Sequence, residues 1–214
     1  MKKIVISYDG GKESTLALYK MIEEGYEPME LLVMLEEGKE STWYYRVHED
    51  LISKASFSLN VNICLVECSK EDYDELFEEQ LMYLKEQGAE ACVFGYINEE
   101  EHKKWCIDRC NAAGVEAIFP LWGMDRESLN NDFINAGFNS LIKKVNLEYL
   151  GEEYLGKELT KELIDEFREK GINPYGENGE YNTFVYDGPI FNFPVPFEKK
   201  GISKEENYAY YNIE

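Results

Sequence analysis

The stretch Ile4-Val5-Ile6-Ser7-Tyr8-Asp9-Gly10-Gly11-Lys12-Glu13-Ser14-Thr15 limits the fold more than any other part of the chain. An apolar run breaks at two glycines and resumes with helical spacing at Leu16, Leu18, Tyr19 and Ile22, which predicts strand, tight loop and helix. Glycines let backbone N–H groups turn toward one point, and a helix starting near Lys12 adds free amide donors and the positive end of its dipole. Such a loop suits an anion, most often phosphate. A Walker loop needs a glycine where Ile6 stands and a Ser or Thr where Glu13 stands, so this is not one. No G-x-G-x-x-G follows the strand either, which removes the usual dinucleotide fold.

The remainder alternates in the same style. Apolar runs at residues 29–35, 61–66, 91–94 and 115–119 read as strands. Helices are expected at residues 45–57, 71–87 and 99–113 between them. Strands separated by helices imply a parallel sheet, whose sites lie beyond the carboxyl ends of the strands where strand order reverses. Gly95 ends the fourth run and would lie beside the Asp9 to Ser14 loop if the first and fourth strands are neighbours. From Arg126 the pattern changes to a helix at 126–136, a strand at 140–145 and a helix at 157–170, so a second, smaller lobe is expected there. In Pro120-Leu121-Trp122-Gly123-Met124-Asp125, Gly123 reads as a turn and Asp125 as a helix cap.

Charge narrows the partners. Lys and Arg total 22 against 43 Asp and Glu, a formal net charge of −21, with no basic stripe, which argues against nucleic acid. No apolar run is long enough to cross a bilayer, and a cytoplasmic location is expected. Cys64, Cys68, Cys92, Cys106 and Cys110 lack C-x-x-C spacing and read as reduced, small buried residues rather than a metal pair.

A second stretch is as dense as the first: Gly176-Glu177-Asn178-Gly179-Glu180-Tyr181-Asn182-Thr183-Phe184-Val185-Tyr186-Asp187-Gly188-Pro189. Its glycines bring backbone close to something, and two carboxylates three residues apart can take a cation or a proton. A strand is expected over 183–187.

Asp9-Gly10-Gly11-Lys12-Glu13-Ser14 resembles the S-G-G-x-D-S loop of the N-type ATP pyrophosphatases, with Asp9 where that family has serine and Glu13 where it has aspartate. The second stretch is similar to the carboxyl-terminal signature of the diphthine-ammonia ligase family, G-E-x-G-E-[FY]-x-T-[FL]-V-x-D-x-P, and stands at the right distance from the first. Asn182 replaces a residue often acidic or histidine in that family. The resemblance runs to about residue 197. It implies an α/β fold, an open parallel sheet with flanking helices of the adenine nucleotide alpha hydrolase-like type, plus a smaller C-terminal α+β lobe. The implied division is an ATP-binding domain at 1–125, a substrate-side lobe at 126–197, and an acidic tail at 198–214.

The resemblance also assigns roles. Gly10, Gly11, Lys12 and Ser14 would hold ATP phosphates, with Ser7, Asp9 and Glu13 in the same nucleotide site and Gly95 near the base; Glu13 and Asp9 are the candidate Mg²⁺ ligands, and the alternative for Asp9, the departure from the family serine, is that it caps the first helix and fills the anion site itself. His48 and Lys103 match positions where relatives carry a histidine and basic residues; Trp105 stands where relatives often have arginine. Gly176, Glu177, Gly179, Glu180, Tyr181 and Thr183 would face the acyl substrate, and Lys12, Glu177 and Glu180 would serve catalysis. The implied reaction is amide formation: a carboxylate attacks the α-phosphorus of ATP, pyrophosphate leaves, and ammonia displaces AMP. A non-catalytic adenine-nucleotide-binding module, or a pyrophosphatase acting on another acid, are the alternatives. Phe191, Phe193, Val195 and Phe197 suggest an extended segment laid on the body or on a second copy in a homodimer.

Overall fold

In the computed structural model of the chain, the described residues are 1–43, 45–176 and 179–214. Among the described residues, ten strands and six α-helices run in the order β1 (Lys3–Ser7), α1 (Lys12–Glu23), β2 (Glu27–Glu36), β3 (Ser41–Thr42), α2 (Glu49–Leu59), β4 (Asn62–Cys68), α3 (Tyr73–Glu86), β5 (Ala91–Val93), α4 (Glu100–Ala113), β6 (Glu116–Ile118), α5 (Arg126–Asn135), β7 (Asn139–Asn146), α6 (Lys161–Glu169), β8 (Tyr181–Asp187), β9 (Lys199–Glu205) and β10 (Tyr208–Ile213). The first sheet is parallel in the order β4-β2-β1-β5-β6, with the short β3 antiparallel beside the end of β2.

β1 lies between β2 and β5 because its side chains are apolar on both faces. Ile4 and Ile6 face the core that includes Leu16, Leu51 and Ile52, while Val5 faces Phe77, Cys92 and Cys106; all three strand residues are fully buried. A central parallel strand covered on both sides needs this continuous run. With Ile4 opposite Ala91 and Ile6 opposite Val93, β1 and β5 are neighbours, and the strand order reverses between them. That crevice receives the Asp9 loop.

Two helices begin later than their apolar spacing suggests. α2 starts at Glu49 rather than near Tyr45, because His48 Nδ1 accepts the Asp50 N–H at 3.2 Å and ends the loop there. α6 starts at Lys161 rather than at 157, where Thr160 Oγ1 accepts the Leu163 N–H. Side-chain caps set helix starts more sharply than hydrophobic spacing does. Asp125 caps α5 as expected, accepting the Ser128 N–H at 2.8 Å.

The second sheet is antiparallel, in the order β8-β7-β10-β9. Here the tail expectation is corrected: residues 199–213 are a β-hairpin, and β10 is an inner strand paired with β7 at Tyr208↔Asn146 and Tyr210↔Lys144. Ala209, Tyr210 and Ile213 are buried, and their packing orders a stretch of mixed charge in which Lys199, Lys200 and Lys204 stand beside Glu205 and Glu206. Before the hairpin, residues 191–197 lie extended against the body, with Asn192 N–H donating to Ser58 O and Val195 N–H to Tyr186 O. One core cluster spans both sheets, joining Ile4, Leu16 and Ile52 to Phe184, Val185 and Ile213. Among the described residues, no helix is long and apolar enough to cross a membrane.

Candidate functional site

The loop between β1 and α1 is shaped by its glycines and filled by its own acid. Gly10 has φ 81°, a left-handed conformation that favours glycine, and its carbonyl accepts the Val185 N–H at 2.9 Å. Gly11 is extended and precedes the first turn of α1. A Cβ there would lie 2.6 Å from the Tyr45 ring, so the space beside Gly11 is taken by an aromatic side chain. Asp9 Oδ1 accepts the Gly11 N–H at 2.9 Å and the Ser14 hydroxyl at 2.6 Å. These are donors that an incoming anion would use. Burial, opposed by those two hydrogen bonds, raises the Asp9 carboxyl to about 6.

Lys12 ties the loop to the second signature. Its backbone N–H, one of the unpaired donors at a helix start, donates to Thr183 Oγ1 at 3.2 Å. Its buried ammonium donates to Glu13 Oε1 at 2.5 Å and to the Tyr175 carbonyl at 3.4 Å, and lies 5.4 Å from the centre of the Tyr181 ring. The two stretches therefore form one structure, brought together where β8 runs along the loop. Gly176 has φ 73°, and a Cβ on it would meet the Tyr181 carbonyl at 2.9 Å. Gly179 is also left-handed, at φ 79°, which the tight turn before β8 requires. Glu180 is buried, and its carbonyl accepts the Asn146 N–H. Glu177 lies outside the described residues.

Gly95 stands where the sequence expects it. A Cβ there would be 2.8 Å from the Glu13 carbonyl carbon and 2.9 Å from the Ser14 nitrogen, so only glycine lets the end of β5 approach the start of α1. Ser7 closes β1 opposite Leu32 and feeds the loop.

Two further residues expected at the nucleotide site have partners of their own in this structure. His48 caps α2, with Nε2 3.6 Å from Glu40 Oε2, so its partners belong to its own segment. Lys103 lies with its ammonium 3.8 Å from the centre of the Trp122 ring, a cation–π pair between α4 and the segment after β6. The cysteines are packed residues: Cys92, Cys106 and Cys110 are fully buried, and among the described residues no group of three or more metal-binding side chains gathers.

Residues that the sequence reading passed over complete the site. Tyr45 covers Gly11, is raised well above the usual tyrosine range by burial and by the nearby Asp9 and Glu13, and hydrogen-bonds the Asn182 side chain. Its signal in sequence was the aromatic cluster Trp43-Tyr44-Tyr45 between the polar stretch after the second strand and the expected helix at 45–57. Tyr175 contributes only its carbonyl, which no side-chain pattern reveals.

The chain matches the family model described as the diphthamide synthase N-terminal domain over residues 1–117, and the one described as the diphthamide synthase C-terminal domain over residues 125–214. The chain belongs to the diphthamide synthase family. Among the relatives of this diphthamide synthase family member is a diphthine–ammonia ligase of Schizosaccharomyces pombe, 26% identical, with 94% of this chain and 37% of that protein aligned. Another is a diphthine–ammonia ligase of Homo sapiens, 25% identical over 63% of this chain and 52% of that protein. The family member thus spans well under two thirds of either relative. A crystal structure of a predicted subunit of tRNA methyltransferase from Methanocaldococcus jannaschii superposes with a TM-score of 0.49 at 13% identity, covering 88% of this chain and all of that one.

Proposed function

We propose that this protein is an ATP-dependent ligase that joins ammonia to a carboxylate, forming an amide, AMP and pyrophosphate, and that its acid is diphthine or a related acyl group. The observation that carries this reading is the contact between the two signatures through Lys12, Thr183 and Tyr175. An acyl-transfer ligase has to hold a nucleotide and an acid within bonding distance. A loop suited to phosphate and a glycine-rich acidic turn meeting at one residue would do that.

In this reading the start of α1 and the Lys12 ammonium face the departing pyrophosphate, where negative charge develops. Gly95 keeps the wall of the crevice free of a side chain. Thr183 fixes the first turn of α1, and the buried Glu180 holds the acid-side turn. Mg²⁺ fits only in part: Asp9 and Glu13 are the two carboxylates at hand, both already engaged, so water and phosphate oxygens would complete its coordination. When bound, the ion would offset charge on the phosphates.

Asp9 favours a second reading, a nucleotide-binding module without turnover, because its carboxylate takes up loop donors. One assay separates the two. The protein is incubated with MgATP, ammonium and a panel of carboxylates including a diphthine-bearing protein, and pyrophosphate is measured. The ligase reading expects release that requires both acid and ammonium for continued turnover. ATP binding without release across the panel would leave the module.

A further inference from the structure

In a chain of net charge −21, three cations lie near one another: Arg46, which follows Tyr45 in the chain, and Lys143 and Lys144 on β7. Arg46 is paired with Glu205 and stacked on Tyr210, and Lys144 lies 3.9 Å from the centre of the Tyr208 ring. Lys143 differs. It is 1% exposed, and among the described residues it has no hydrogen-bond or ion-pair partner; the charge that bears on it is the like charge of Arg46. Burial of the side chain, with Arg46 nearby, pushes its ammonium down to about 8.

Its position is built rather than incidental. β7 pairs with β8 at Ile142↔Thr183 and then at Lys144↔Asn182, so Lys143 is the extra residue of a β-bulge. Bulges re-aim a side chain, and they gather near active sites. The two residues it is inserted between on the partner strand are among those of the second signature that meet the loop or its cover: Thr183 accepts the Lys12 N–H, and Asn182 hydrogen-bonds Tyr45, the ring over Gly11. Arg46 follows Tyr45 directly in the chain.

The loop itself lacks the charge a polyanion needs. Asp9 and Glu13 against Lys12 leave it negative, with Lys12 held by Glu13 and donors held by Asp9. We propose that Lys143 is an anion-binding residue of this site, the cation that receives a phosphate group of the bound nucleotide and supplies what the Asp9 loop lacks. This rests on the ATP reading above. A carboxylate of the acyl substrate offers similar oxygens, but a single negative charge calls less for a third cation than a triphosphate does.

The test uses the full chain, with MgATP and sodium pyrophosphate as probes in titration calorimetry. Lys143→Met should weaken both by about 10- to 100-fold, the loss expected for one charge-assisted hydrogen bond. Its Tm should equal or exceed that of the wild type, because a side chain of similar length replaces an unpaired buried charge; a purely structural lysine would lower Tm instead. In wild-type protein, the ¹⁵Nζ resonance of Lys143 should shift on addition of pyrophosphate, a readout that does not depend on the variant folding.

Unchanged affinity for both probes in Lys143→Met would overturn the assignment, as would a resonance that does not move. Unchanged affinity with a raised KM for the acid would hand the residue to the carboxylate. If wild-type protein binds pyrophosphate through Lys143 yet releases none from ATP, the ligase reading falls and this assignment stands. If it binds neither probe, both fall.

Discussion

If the loop holds ATP as proposed, Asp9→Ser should bind it more tightly than the wild type, by up to about a thousandfold. A carboxylate 4 Å from a phosphate oxygen repels it by roughly 4 kcal/mol at an effective dielectric near 20, and that energy is about three decades of affinity. In the structure Asp9 takes the Gly11 N–H and the Ser14 hydroxyl for itself, so ATP must displace it as well as approach it. Serine removes the charge and frees both donors. The effect should appear with Mg²⁺ and in EDTA alike. Weaker binding in Mg²⁺ with no change in EDTA would show instead that Asp9 bridges to the phosphates through the metal.

The same group gives a pH signature. Its carboxyl is raised from 3.8 to about 6, so between those values the folded protein holds more protons than the unfolded chain. The associated stability is fully present below pH 3.8 and is lost as pH rises through 6. Titration of wild type and Asp9→Ser side by side should therefore show the advantage of serine in ATP binding narrowing as pH falls below about 6.

Phe184→Ala should cost about 3–5 kcal/mol of folding stability, the usual range for removing a buried phenylalanine. Phe184 is fully buried and belongs to β8, yet it packs in the core of the first sheet. Its ring would lie 3.2 Å from a Cβ on Gly10, directly under the loop, and the next residue donates to the Gly10 carbonyl. A cavity there removes the support of the loop as well as the packing between the sheets. Urea denaturation reads the first effect and ATP calorimetry the second. A loss below about 1.5 kcal/mol would mean that the sheets do not share this core.

Much of the first sheet was legible because its information is local. Ile4, Val5 and Ile6 can only be a strand buried on two faces, and the glycines at 10, 11 and 95 announce close backbone approach. Helix starts were less legible, since His48 and Thr160 decide them through single side-chain bonds that apolar spacing ignores. The hairpin at 199–213 was hidden by its polarity: β9 is charged and polar along most of its length, and burial rests on Ala209, Tyr210 and Ile213 of β10.

The candidate site divides the same way. The loop and the second signature each carry dense local constraints, but what joins them does not. Thr183 reaching the Lys12 N–H, Tyr45 covering Gly11 and Lys143 standing in a bulge are contacts between segments far apart in sequence. A single chain without structure gives no register between β7 and β8, and a one-residue bulge cannot be read from the pair Lys143-Lys144.

The central claim is that the paired signatures direct a carboxylate to the α-phosphorus of ATP. The most direct measurement follows the oxygen: a carboxylate that supports pyrophosphate release is labelled with ¹⁸O in both oxygens and turned over with MgATP and ammonium, and the nucleotide product is analysed by mass spectrometry. The account predicts AMP carrying one ¹⁸O atom per turnover, with unlabelled pyrophosphate. Label appearing in orthophosphate alongside ADP, or AMP free of label, would contradict it.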